Sequence, residues 1–338
     1  MDIKEIRELA RKRYEGTCRV CKVCDGRACA GEVPGMGGAG TGKTFKNNIE
    51  ALAKIQLKLR TLHDAKNPDM SVNVFGKKLS APIMIAPITG SSLNFGGFLD
   101  EKAYAEIIVE GAKDTELMAM TGDTAKPEFY EYGLEAMDEI GIGVPTIKPR
   151  EVDAIIEKIK LAEKIKAPAI AIDVDGAGLI TMALLGQPVG PKSESELKRI
   201  VNSTDLPVIL KGIMTKEEAR LAVNAGAKAI VVSNHGGRVL DSVAGIADVL
   251  KDIADEVKGE ILIMADSGIR SGIDVYKYLA LGADVVLVGR PIITGAVGGG
   301  VEGVKLILDT MKNELYKAMI LTGCSEISDI SFENIMRA

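Results

Sequence analysis

Tryptophan is absent and histidine nearly so: the 338 residues contain no Trp and two His, and aromatics make up 4% of the chain. Packing therefore falls to Ile, Val, Leu, Met and Ala. A hydrophobic content of 46% is enough for one large domain or two ordinary ones. A surplus of positive charge is missing too. The formal net charge of −5 argues against non-specific nucleic-acid binding, which needs a concentrated basic surface. No uninterrupted apolar run reaches about 18 residues, so no membrane span is expected. The N-terminal MDIKEIRELARKRYEG lacks the apolar region of a signal peptide, which makes a cytoplasmic protein the default.

Cysteine is scarce, with five in all, but four of them crowd into CRVCKVCDGRAC as Cys18, Cys21, Cys24 and Cys29. The odd total and the missing export signal argue against a disulfide framework. The spacing C-x2-C-x2-C-x4-C resembles the compact run that holds a [4Fe–4S] cluster, with one extra residue before the last ligand. Thiolates suit structural zinc equally well, and unmetallated or redox thiols are the third reading. Arg19, Lys22 and Arg27 would offset the negative charge of a cluster or of an acidic electron donor. Cys324 is remote and has no evident partner.

Residues 35–44, GMGGAGTGKT, spell both a phosphate loop (GxxxxGK[ST]) and a dinucleotide fingerprint (GxGxxG). Either motif needs a strand that delivers the glycines to a helix N-terminus. A helix pattern follows, but the preceding DGRACAGEVP has no β-branched run. A glycine-rich turn without nucleotide is the preferred reading.

After residue 80 short branched apolar runs alternate with helical patterns. The runs are PIMIAP (82–87), ELMAM (116–120), GVPTI (143–147), AIAIDV (169–174), PVILKG (207–212), AIVVSN (229–234), ILIMAD (261–266) and DVVLVGR (284–290). Amphipathic stretches such as 150–165 and 215–227 lie between them. Continuous apolar strands joined by helices imply a parallel sheet covered on both faces, and eight such units fit an α/β fold, the closed (β/α)8 TIM barrel. An open doubly wound sheet is the alternative. Residues 1–80 read as an N-terminal extension with a short helix, the cysteine segment, the glycine-rich loop and a helix near 45–60. Residues 81–338 read as the barrel and C-terminal helices. Chemistry then belongs at the C-terminal ends of the strands.

Two segments there carry it. In AIVVSNHGGRVLD, His235 directly follows an apolar strand and can accept a proton near neutral pH; Arg238 can clamp a carboxylate. In ADSGIRSGIDVYKYLALGADVVLVGRP (265–291), Gly268, Arg270, Gly289 and Arg290 sit on the loops after the seventh and eighth strands, where barrels of this class bind phosphate.

These two stretches closely resemble the FMN-dependent α-hydroxy acid oxidase and dehydrogenase family. So do FGKKLSAPIMIAPITG (75–90), PVILKGIMTKEEARLAVNAGAKAI (207–230) and, more weakly, residues 37–60. The resemblance implies FMN across the mouth of the barrel. Pro87, Ile88 and Thr89 would pass near the flavin ring and Lys211 would approach its N1/O2 edge, where positive charge favours the reduced anion. Gly268, Arg270, Gly289 and Arg290 would grip the phosphate, with Asp266 among the cofactor contacts. His235 would act as base on a small 2-hydroxy acid or related carboxylate, and Asp175 would pair with the imidazolium as it forms. Asp173 or Asp175 could instead cap a loop. The family resemblance also implies a homotetramer or larger assembly.

The chain departs from the family pattern where substrate is held. The tyrosine expected before the glycine loop is replaced by GEVPGM (31–36). A second, after the third strand, is missing from GVPTIKPR, and the arginine after the fourth strand is missing from residues 175–186. Arg238 and Lys148 are the remaining candidate carboxylate partners. The family also lacks the cysteine segment. If that segment binds a cluster, the cluster could draw electrons from FMN, favouring a dehydrogenase with an electron-transfer partner over an oxidase. A flavin-dependent isomerase related to type 2 isopentenyl-diphosphate isomerase, a flavin electron carrier with a vestigial substrate site, and a regulatory binding barrel stay open.

Overall fold

The computed structural model describes residues 1–32 and 34–337. All eight expected strands form: β1 (Ile83–Ile88), β2 (Met118–Thr121), β3 (Val144–Ile147), β4 (Ile170–Asp173), β5 (Val208–Ile213), β6 (Ala229–Val232), β7 (Leu262–Ala265) and β8 (Val285–Val288). Each pairs in parallel with the next. Pairing of β8 with β1, Val286 opposite Ile83 and Val288 opposite Ile85, closes the barrel. β2, β3, β4, β6 and β8 are buried along their whole length. Burial on both faces is why they read as unbroken apolar runs and show no alternation.

Helices cover the outside: α1 (Ile3–Arg13), α2 (Lys43–Ala53), α3 (Glu101–Asp114), α4 (Pro127–Ile140), α5 (Val152–Lys164), α6 (Glu194–Val201), α7 (Lys216–Asn224), α8 (Ile246–Val257), α9 (Gly272–Ala280) and α10 (Arg290–Thr322). α10 is, among the described residues, the one helix long and apolar enough to cross a membrane by length and composition. It bends at Gly300 (φ 59°, ψ −143°) and packs against α1, α3 and α9.

The extension differs from its expected form in one respect. The helix expected near 45–60 stops at Ala53, and Ile55–Leu57 instead forms a strand antiparallel to Ile335–Arg337. A two-stranded hairpin, Val72–Val74 with Lys77–Leu79, then leads into β1. The part of the extension that carries α2 lies at the C-terminal end of the barrel, against the turn after β6. Asn48 on α2 and Asn234 after β6 exchange amide hydrogen bonds of 2.9 and 2.8 Å, and both residues are buried.

The glycine-rich loop docks on the segment after β6. Ala39 N–H donates to the Gly237 carbonyl at 2.7 Å. A side chain at Gly38 would come within 2.9 Å of that same oxygen. The helix N-terminus that the GxxxxGK[ST] spelling would offer to a phosphate is filled by the chain's own Asp241. Its carboxylate accepts from Thr41 N–H (2.6 Å), Thr41 Oγ1 (2.7 Å) and Lys43 N–H (2.9 Å). Hydrogen bonds from Thr41 hold that carboxyl well below its usual range. A local carboxylate satisfies the free N–H groups that a nucleotide would otherwise need to meet.

Candidate active site

His235 lies in the short turn His235–Gly237 that follows β6. Its backbone takes the left-handed region (φ 58°), which is uncommon for a residue with a side chain. The Ser233 hydroxyl accepts its N–H at 3.1 Å and fixes that turn. The imidazole is nearly buried, with its Nδ1 2.9 Å from Asp175 Oδ1 and 3.5 Å from Asp173 Oδ1. Nε2 is thereby left for chemistry.

The carboxylates come from the end of β4. Asp173 is its last residue, and Asp175 sits in the tight turn Val174–Gly178 beyond it. Gly212 allows Asp175 this close approach: a Cβ there would lie 2.4 Å from Asp175 Cβ, and φ is +110°. The pairing of β5 with β6 shifts register at this point, between Lys211 and Ile213. The irregularity aims Lys211 inward, as bulges beside active sites commonly do.

Charges in this cluster are nearly all matched. Lys211 Nζ lies 3.0 Å from Asp173, 4.0 Å from Asp175 and 3.8 Å from Asp266. Burial opposes its charge, but the three carboxylates more than compensate and raise its pKa. Lys148 forms a buried ion pair with Asp173. For Asp173, burial is outweighed by His235, Lys148 and Lys211, and its pKa falls. Asp175 is pushed up by burial and by its neighbour Asp173, against the pull of Lys211. His235 is pushed well below its ordinary value by burial first, with Lys211, Lys148 and Arg238 adding to the effect against Asp173. The imidazole is therefore neutral at physiological pH and able to accept a proton. Asp173, Asp175 and His235 lie close enough together to ligate a metal, but the two ammonium groups already neutralise the carboxylates there.

His235 and Arg238 stand in the wall between two cavities, together with Pro87 and Asn94. The first cavity is a cleft of about 660 Å³ counted to its open mouth. Pro87, Ile88, Lys211 and Asp266 line it, as do Gly268, Arg270, Gly289 and Arg290. Thr89 is not brought there. It faces the second cavity, and its hydroxyl bonds to Glu101. That second cavity is bounded by Lys126, Lys148, Leu179, Met182 and Leu185. Asp175 lines neither cavity and acts from behind the imidazole.

Comparison with known proteins identifies the arrangement. The model of the family described as FMN-dependent dehydrogenase matches residues 35–182 and 183–337. The chain belongs to that family. A peroxisomal (S)-2-hydroxyacid oxidase of Arabidopsis thaliana is 33% identical, over 88% of this chain and 90% of its own length. An L-lactate oxidase of Lentilactobacillus hilgardii is 34% identical, over 87% of this chain and 86% of its own. A solved structure of mandelate oxidase superposes with a TM-score of 0.81 at 26% identity, covering 100% of this chain and 98% of that one. This FMN-dependent dehydrogenase family member is an enzyme that oxidises an α-hydroxy acid to the oxo acid.

The cleft fits FMN on its own chemistry. Arg270 and Arg290 pack over the Phe45 ring, 5.4 and 4.1 Å from its centroid. Among the described residues neither guanidinium pairs with a carboxylate; both donate to backbone carbonyls instead. Arg270 Nη2 is buried without a partner. Burial, with the adjacent Arg270 cation, pushes Arg290 down to about 9. Two half-buried cations on one ring lack an anion, and a phosphate would supply it. Phe45 is the residue that sequence reasoning missed here. Only its place two residues beyond Lys43 in the glycine-rich loop could have pointed to it. Asp173 and Asn94 were missed as well, because each acts through a contact distant in sequence.

On the substrate side, Lys148 is spent on Asp173. Arg238 donates from Nη2 to Asn94 Oδ1 at 2.7 Å, and its Nε is buried without a partner. Met36 stands in the flavin cleft, in the stretch where the family resemblance leads one to expect a tyrosine. His63 bonds locally to the Arg60 carbonyl and the Ala65 N–H, away from the site.

Proposed function

We propose that the substrate is an L-2-hydroxy acid with an apolar side chain, bound in the second cavity, with its carboxylate on Arg238 and its hydroxyl-bearing carbon beside His235. The observation that carries this reading is the position of His235 and Arg238 in the wall shared by the two cavities. FMN, when bound, supplies the two-electron acceptor. Lys211, beside the expected position of the ring, and Arg270 and Arg290, at its anionic tail, are proposed to hold it, with Pro87, Ile88, Asp266, Gly268 and Gly289 completing the cleft. His235 Nε2 accepts a proton leaving the CH–OH unit. Asp175 orients the ring through Nδ1 and stabilises the imidazolium formed. The orphaned Nε of Arg238 matches a carboxylate, which would satisfy a buried donor that costs free energy when left alone. Leu179, Met182 and Leu185 suit a hydrophobic substituent, in keeping with the mandelate oxidase likeness.

Anaerobic mixing with a panel of 2-hydroxy acids tests the assignment by flavin bleaching. His235→Ala should keep its flavin and slow bleaching by about 10²–10⁴-fold, the usual contribution of a general base. Bleaching at the native rate would remove His235 from this role.

A further inference from the structure

Cys18, Cys21, Cys24 and Cys29 all line one chamber between the extension and the barrel. None is in a disulfide, and all four are partly buried. The chamber holds about 1480 Å³ counted to its open mouth, and Arg270 and Arg290 form its far wall. These are the same two guanidiniums that line the flavin cleft. We propose that the four cysteines bind a [4Fe–4S] cluster in this chamber, with its back to the tail end of the flavin cleft.

Three observations support the site and this metal. First, the loop is built around the sulfurs. It has almost no regular structure, yet arginine side chains hold its carbonyls: Arg7 donates to Cys21 at 2.5 Å, Arg11 to Arg19 at 3.0 Å, and Arg270 to Cys24 at 3.1 Å. Val20 N–H reaches Cys18 Sγ at 3.4 Å, the kind of N–H to sulfur contact that tunes such clusters. The residue added before the last cysteine is absorbed by a turn. Gly26 is left-handed (φ +79°) and lies so close to Phe45 that a Cβ would meet the ring at 2.7 Å. That turn brings Cys29 back to the chamber.

Second, the charge is right. Arg7, Arg19, Lys22, Arg270 and Arg290 line the chamber against only Asp25 and Glu314. A cluster ligated by four thiolates is anionic, and a surplus of cations lowers the cost of burying it. Third, Cys18, Cys21 and Cys24 follow one another at the C-x2-C-x2-C spacing of compact cluster-binding runs; a single zinc ion, which four thiolates also suit, is an outcome of the test.

The test is to purify the full chain without oxygen, after expression with iron and again after reconstitution with iron and sulfide. Iron, acid-labile sulfide, zinc and extracted flavin are then counted per chain, and the protein reduced with dithionite is examined by electron paramagnetic resonance. The site predicts about four irons and about four sulfides per chain, with a resonance from a reduced cubane. Cys21→Ser and Cys29→Ser should each lose most of the iron and sulfide while keeping flavin content and melting temperature, which shows that the fold survives. One zinc without sulfide, or a flavin-loaded protein that takes up no iron on reconstitution, would overturn the proposal. So would serine variants with native iron content. Flavin and metal are counted separately, so loss of the FMN reading and loss of this one give different results.

Discussion

His235 combines a strained backbone, a buried ring and a carboxylate on one nitrogen, and each feature acts on the proton it handles. Burial holds its pKa well below the ordinary imidazole range. A base is active when unprotonated, so activity should be lost only as pH falls through that lowered value. The pH profile of the rate of flavin reduction should therefore stay flat from pH 8 to below about 6.5, the unperturbed histidine value. An acid limb centred at or above that value would contradict the burial argument. Arg238 and His235 were legible as residues because a histidine and an arginine directly after an apolar strand are chemically conspicuous. Asp173 was not, since its weight comes from Lys148 and Lys211, which reach it from the neighbouring strands β3 and β5. Thr89 shows the limit of such reading at the level of a side chain. Its backbone follows the expected path, but Glu101 turns its side chain away from the cleft.

The strands were legible as elements because a parallel strand buried on both faces has to be written in branched apolar residues. The strand Ile55–Leu57 was not, because its partner Ile335–Arg337 lies at the other end of the chain and the local pattern continues the helix before it. β5 carries a feature that no local pattern reveals: its irregularity at Gly212 makes room for Asp175. Gly212→Ala adds a methyl group where a left-handed backbone and the Asp175 side chain both exclude it. Asp175 should be displaced from Nδ1 of His235. The rate of flavin reduction should then fall about 10²-fold, the cost of misplacing a catalytic group by about 1 Å, while flavin content is unchanged. A variant that reduces its flavin at the native rate would show that Asp175 does not set the ring.

At the scale of the molecule, the extension shares the barrel's apolar core and is tied to it by polar contacts as well, of which Asp241 is the most concentrated. Its folded pKa is depressed, so the stability it contributes is complete above the ordinary carboxyl value of 3.8 and is lost as pH falls through the lower folded value. Asp241→Asn should melt at a lower temperature than the native chain at pH 7, and the difference should shrink below about pH 4. Equal melting temperatures at pH 7 would mean that the loop is held by its glycine contacts alone. Phe45 extends the same logic. Gly26 presses on its ring while Arg270 and Arg290 lie over it, so one phenyl group is the common hinge-pin of leader and barrel. Truncating this one ring would therefore loosen the extension and the two guanidiniums together, without touching the catalytic histidine.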